Sequence, residues 1–219
     1  MFEGLMPAAV VVREGRAADF GNPVEQLFAV EAALVAKAVA KRRDEFAVAR
    51  ILARRGVVAL GGVAEPIPKG DRGEPVWPHG YVGSITHAAG RCAAAVARSE
   101  SVRALGIDAE DDSPLSDAVA PVVCSAAERQ WLATRPNADR GWLGKVIFSA
   151  KESVYKLQYP LTRTFLDFDA VEIAVDQDAG SWRATFRVAA GDRFAVGHTI
   201  EGVWAHRDAM VATAAWLVP

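Results

Sequence analysis

The sequence predicts an α+β fold made of two similar α+β halves in tandem, related by a pseudo-twofold repetition with a cleft between them. Three observations point there. The chain has 219 residues, a length for one domain or two of about 100 residues each. Each half reads as helix first and strands afterwards. Near the end, Trp182, Ala184, Phe186 and Val188 alternate strictly with Arg183, Thr185 and Arg187, the period of a half-buried strand.

The first half opens on an expected strand, Ala8–Arg13, followed by a helical region from about Val24 to Arg55. Val35, Val39, Arg42, Phe46, Ala49 and Ala53 fall on one face of that helix. Arg42 sits inside this apolar stripe, and a charge there needs a partner or a cleft. Arg50, one turn beyond Phe46, projects toward the same side. For these two, an anion site and a solvated basic helix stand level. Lys37, Lys41, Arg43, Arg54 and Arg55 read as solvated. A Gly- and Pro-rich loop, Lys69-Gly-Asp-Arg-Gly-Glu-Pro75, precedes three short strands at Val82–Ile85, Cys92–Ala97 and Ala104–Glu110. Asp111-Asp-Ser-Pro114 breaks the pattern. The halves divide as residues 1–106 and 107–219.

In the second half, Ser125 and Glu128 form a capping box that starts a helix over Ser125–Ala133. Trp142–Leu157 reads as a second helix and Val171–Val175 as a strand. Thr199–His206 and Met210–Val218 read as a closing hairpin around Arg207-Asp208.

Composition excludes several function classes. Hydrophobic residues make up 51% and the formal charge is −2, so the chain buries a core and does not coat nucleic acid. Two cysteines, Cys92 and Cys124, are too few for a disulfide scaffold and read as reduced cytoplasmic thiols. No signal or membrane-spanning pattern is expected, since the longest apolar run near the N-terminus is Ala8–Val12. Neither a P-loop nor a dinucleotide fingerprint occurs, and no Ser elbow. His79, His87, His198 and His206 lack zinc spacing. Carboxylates are therefore the better metal ligands, which favours a hard cation such as Mg²⁺.

Four short motifs carry chemistry. Asp108 and Glu110, in Gly106-Ile-Asp-Ala-Glu110, share one face of a strand. Alone they read first as two exposed acids and second as a cation site. Glu152 and Lys156, in Lys151-Glu-Ser-Val-Tyr-Lys156, share a helix face, as an ordinary ion pair or as a carboxylate completing a metal site with lysines for phosphate. Gly83-Ser-Ile-Thr-His87 offers Ser84, Thr86 and His87 at a strand end, where donors can approach a phosphate. Lys69 and Arg72 flank glycines in an anion-binding or simply solvated turn.

Together and in this order, K-G-D-R-G-E-P-x-W, G-S-I-T-H, G-I-D-A-E and F-S-A-K-E-S-V-Y-K resemble the 4′-phosphopantetheinyl transferases, specifically the larger class typified by the surfactin-synthetase and enterobactin-synthetase enzymes. The likeness runs from the Arg42 helix to about Asp169; the remainder matches only as a strand-rich tail. The resemblance implies an enzyme, with its active site in the cleft between the halves. It would move the phosphopantetheine arm of coenzyme A, its substrate, to a serine of an apo acyl or peptidyl carrier protein domain and release adenosine 3′,5′-bisphosphate. Mg²⁺ would be the cofactor, with Mn²⁺ able to substitute. By resemblance Asp108, Glu110 and Glu152 hold the metal. Glu152 also acts as general base, and Lys156 and Lys151 meet the phosphates. Arg42, Arg50, Lys69, Arg72, Ser84, Thr86 and His87 bind the cofactor's nucleotide side. Phe165 and Leu166 contact a carrier helix or pack in the core. Ala109 between the acids leaves open whether Glu152 meets the metal directly or through water. A cytoplasmic monomer touching neither nucleic acid nor membrane is implied, serving fatty-acid, polyketide or nonribosomal peptide synthesis.

Two other readings differ in class. A non-catalytic module binding CoA or carrier protein would have lost the metal acids, and all three are present. A hydrolase built on Ser84, His87 and Asp108 lacks the elbow that exposes its serine.

Overall fold

A computed structural model describes residues 1–219. The chain forms two compact units: Met6–Leu105 with Leu217–Pro219, and Gly106–Trp216 with Met1–Leu5. Each joins a long helix to an antiparallel sheet, the expected α+β class.

In the first unit, strands β1 (Val10–Arg16), β2 (Tyr81–Ala88) and β3 (Arg91–Arg98) form a sheet in the order β1-β3-β2. Helices α1 (Ala29–Val35) and α2 (Ala40–Ala59) precede β2. β3 carries Ala93, Ala94, Ala95 and Ala97, all fully buried. These small side chains let α2 lie close on the sheet, over a core of Val48, Leu52, Ala53, Ile67, Cys92 and Ala94.

The helical region expected over Val24–Arg55 is broken into two helices. α1 stops at Val35, and α2 restarts at Ala40 with Val39 as an extended, 74% exposed N-cap. Val39 therefore leaves the buried stripe, while Phe46, Ala49 and Ala53 keep it. The break lets α1 turn so that Glu31 meets Arg54, which is buried and not solvated as its sequence neighbourhood suggests.

The second unit holds a five-stranded sheet, ordered β4 (Ala104–Asp111), β8 (Met210–Leu217), β7 (Thr199–Arg207), β6 (Ser181–Phe186), β5 (Val171–Asp176). Helices α3 (Ala120–Val123), α4 (Ala126–Ala133) and α5 (Asn137–Thr162) lie between β4 and β5. The capping box forms as read: Ser125 Oγ accepts from Glu128 N at 3.2 Å, and Ser125 N donates to Glu128 Oε2 at 2.6 Å. α5 runs longer than expected and includes Pro160 in its last turn, ended by Arg163 with φ +57°. Its stripe of Leu143, Val146, Ile147, Ala150, Val154 and Leu157 is wholly buried. Ser149 and Ser153 hydrogen-bond Thr213 of β8 at 2.9 and 2.7 Å, satisfying three buried hydroxyls together. The β7–β8 hairpin turns through Asp208-Ala209, one residue later than expected, with both residues at positive φ.

Gly106 sets the distance between β4 and α5. A Cβ there would lie 1.9 Å from the Ser153 carbonyl oxygen and 2.9 Å from Leu157 N. Only glycine permits this backbone approach, which brings the acids of β4 within reach of lysines on α5.

Candidate active site

The acidic motifs meet within the second unit. Asp108 is buried on β4, and its Oδ1 accepts from Lys156 Nζ at 2.6 Å. The same ammonium reaches the Ile107 carbonyl at 3.3 Å. Glu110, two residues along the strand, accepts through Oε2 from Lys145 Nζ at 3.0 Å, and Lys145 also lies 3.7 Å from Asp111 Oδ1. Glu152 stands one helical turn before Lys156. Burial pushes the Glu152 carboxyl above its usual range; Lys156 opposes this, while Asp108 and Glu110 add to it. Glu110 is raised too, by burial first and by Asp108 second. Asp108 raises both glutamates and Glu110 adds to Glu152, although the three carboxylates do not close on one point. An all-oxygen donor set of this charge fits a hard divalent cation.

Beside Glu152 lies a cavity of about 150 Å³, walled by Tyr155, Phe165, Leu166, Phe168 and Val171. Phe165 is half exposed and meets the Tyr155 ring edge-on at 5.8 Å. It lines this cavity and is not core, which settles one alternative left open by the sequence.

Lys151 departs from expectation. Its ammonium is buried and donates to Glu128 Oε2 at 2.9 Å, to the Val123 carbonyl at 2.8 Å and to the Phe168 carbonyl at 2.9 Å. Three donors meet three acceptors, so Lys151 is a structural tie and does not serve phosphates. The signal for this was the capping box, whose Glu128 needed a partner once buried.

A second, basic cluster belongs to the first unit. Arg42 on α2 donates to His87 Nε2 on β2 in a short contact. His87 Nδ1 lies 3.8 Å from Glu45 Oε2. Arg50 is buried, donates through Nε to the Ile67 carbonyl at 2.7 Å, and stacks on Phe46 at 4.3 Å. Lys69 packs on the same ring at 5.1 Å. Burial lowers the Arg50 guanidinium to about 10, with Arg42 and Arg54 adding to the fall against Glu31. Burial also lowers Lys69, and both Arg42 and Arg50 repel it. Crowded cations of this kind are relieved by an anion.

Other expected members are not part of that cluster. Arg72 is exposed at the loop tip, where its N–H bonds Glu74 Oε2 at 3.0 Å. Ser84 and Thr86 are buried in β2, and strand alternation puts them on the face opposite His87. The sequence missed Lys145, because a lone helical lysine reads as solvated until packing against β4 is known.

Comparison with known proteins decides the family. The family model described as 4′-phosphopantetheinyl transferase N-terminal domain matches residues 30–97, and that of the 4′-phosphopantetheinyl transferase superfamily matches residues 104–212. The chain is 45% identical to 4′-phosphopantetheinyl transferase Svp of Streptomyces mobaraensis, over 98% of this chain and 88% of that protein.

The chain belongs to the 4′-phosphopantetheinyl transferase superfamily.

A second relative, 4′-phosphopantetheinyl transferase PptT of Mycobacterium tuberculosis, is 39% identical over 84% of this transferase and 83% of its own length. Enterobactin synthase component D of Salmonella typhi is 35% identical over 53% of this chain and 48% of that one. The superfamily match covers the acidic cluster whole, while the basic cluster lies inside the N-terminal match. No helix of the transferase is long and apolar enough to cross a membrane.

Proposed function

We propose that this transferase moves the 4′-phosphopantetheine arm of coenzyme A to a serine of an apo acyl or peptidyl carrier protein and releases adenosine 3′,5′-bisphosphate, with Mg²⁺ as its cation. The observation that carries the reading is the Asp108–Lys156 ion pair between β4 and α5, with Glu110 on the same face of β4 and Glu152 one helical turn before Lys156. Asp108, Glu110 and Glu152 would hold the cation, which supplies charge neutralisation at the pyrophosphate. Lys156, held on Asp108 and the Ile107 carbonyl before reaction, turns toward the departing bisphosphate as charge develops there. Glu152 takes the proton of the carrier serine. The serine oxygen forms a bond to the pantetheine-side phosphorus, the bond from that phosphorus to the bridging oxygen breaks, and the bisphosphate leaves with its electron pair.

Residues 1–106 act on the nucleotide side. Arg42, Arg50 and Lys69 supply the cations for its phosphates, with His87 beside Arg42 and Arg72 at the edge. Residues 107–219 hold the reacting centre, and Phe165 and Leu166 beside Glu152 receive apolar groups of the carrier. The two buried cysteines support a reduced, cytoplasmic setting, and a chain carrying both clusters supports action as a monomer.

The test mixes the protein with CoA, Mg²⁺ and a panel of apo carriers and follows carrier mass. Transfer of the arm to the serine is expected, and its loss when Mg²⁺ is chelated. No mass gain on any carrier, with the protein folded, overturns the reading. CoA binding that ignores Mg²⁺, seen by calorimetry alongside such inactivity, favours a binding module.

A further inference from the structure

Lys145 has no place in the mechanism just described, yet it is among the most buried lysines of the transferase, with 11% of its side chain exposed. A lysine is buried only when paired. Its ammonium lies 3.0 Å from Glu110 Oε2 and 3.7 Å from Asp111 Oδ1. It comes from α5, two turns before Glu152. The second ammonium of the cluster, on Lys156, is bound to Asp108. Two of the three carboxylates assigned to the cation are thus already held by ammonium groups of the same chain. A bare cation entering here displaces two ion pairs and meets two nearby positive charges.

We propose that Lys145 is a tethered counter-ion of the acidic cluster, which holds Glu110 in position while weakening the grip on a free divalent cation. The inference rests on the metal assignment above and adds to it a positioning residue and an order of events. The cation binds well only when the CoA pyrophosphate brings its own oxygens, because those donors replace what the lysines deny. Lys156, at 25% side-chain exposure, can swing from Asp108 to phosphate. Lys145 is enclosed and stays on Glu110.

The experiment uses the full chain and free Mn²⁺ as probe, read by the loss of the free-ion paramagnetic resonance signal, first without and then with CoA. Wild type is expected to bind Mn²⁺ weakly alone and more tightly with CoA. Lys145→Met should tighten binding of Mn²⁺ alone by about tenfold, since one like charge within contact range is gone, and should shrink the gain on adding CoA. Lys145→Arg, which keeps the charge, should behave as wild type. Lys145→Gln is read in place of Lys145→Met if the latter melts early. Mn²⁺ affinity that is unchanged or weaker in a folded, uncharged variant overturns the counter-ion role and leaves the metal assignment standing. If neither wild type nor variant takes up Mn²⁺ even with CoA, the metal assignment itself falls.

Discussion

Glu31 in the first unit and Glu128 in the second do the same work in matching places. Each is the third residue of a short helix and reaches back to the N-cap: Phe28 N meets Glu31 Oε2 at 3.0 Å, and Ser125 N meets Glu128 Oε2 at 2.6 Å. Each is bound by a buried cation 23 residues onward, Arg54 or Lys151. Each also accepts a backbone N–H from the segment after the long helix, Ile67 at 2.8 Å or Ile173 at 2.7 Å. These paired hubs are the physical trace of duplication that residue identity between the halves did not reveal. Around them the units differ. The shift that aligns Glu31 with Glu128 sets Val11 against Asp108, Arg13 against Glu110 and Arg55 against Glu152. The hub belongs to the fold and persists in both copies, whereas the acids were placed on one copy, immediately beside the hub.

The sharpest way to break this comparison is at the paired positions 152 and 55. Glu152→Ala is expected to lower turnover by about 10²–10⁴-fold, the loss of a positioned base, while Arg55→Ala keeps near-wild-type turnover. Equal losses would mean that the first copy also serves the reaction. Next come the hubs. Glu128→Ala and Glu31→Ala each leave a buried cation without its carboxylate, at about 3–5 kcal/mol, measured by urea unfolding. A small cost at one hub and a large one at the other would show that the two are not equivalent.

Gly106 offers a third comparison, because its counterpart under the same shift is the exposed Ala9. Gly106→Ala should cost about 1–3 kcal/mol as β4 and α5 are forced apart, with transfer falling as Asp108 moves from Lys156. Ala9→Gly should change both little. A folded Gly106→Ala protein of unchanged stability would remove close approach as the reason for glycine.

The smallest effect concerns the thiols, one in each unit. Burial pushes Cys92 up to about 12, with Glu45 adding to it, and Cys124 up to about 11, with Glu128 adding to it. Both therefore stay protonated where an unfolded thiol, near 8.5, ionises. Each contributes stability that is present below pH 8.5 and is lost as pH rises through about 11 for Cys124 and about 12 for Cys92. Thiol titration at pH 8 should find neither cysteine in the native protein and both in denaturant. Rapid native labelling of either would contradict its burial.

Much of this protein was legible in the residues. The alternation from Trp182 to Phe186, the capping box at Ser125 and the pairing of Asp108 with Glu110 follow from backbone periodicity, which is local and needs no partner, although the strand ends at Phe186 and Val188 is exposed. The break between α1 and α2 was not legible. Ala36-Lys-Ala-Val39 holds neither glycine nor proline, and the turn exists because Glu31 must face Arg54 from another element. Lys151 and Lys145 were opaque for the same reason. By itself the sequence determined the element types, the order of the motifs and the residues fit for cation and phosphate chemistry, because spacing along a helix or strand decides which side chains share a face. Only the tertiary structure decided which lysine serves which carboxylate: Lys151 the fold, Lys156 and Lys145 the acids. Burial makes an unpaired charge costly, so each lysine's role is set by the partner that packing brings to it.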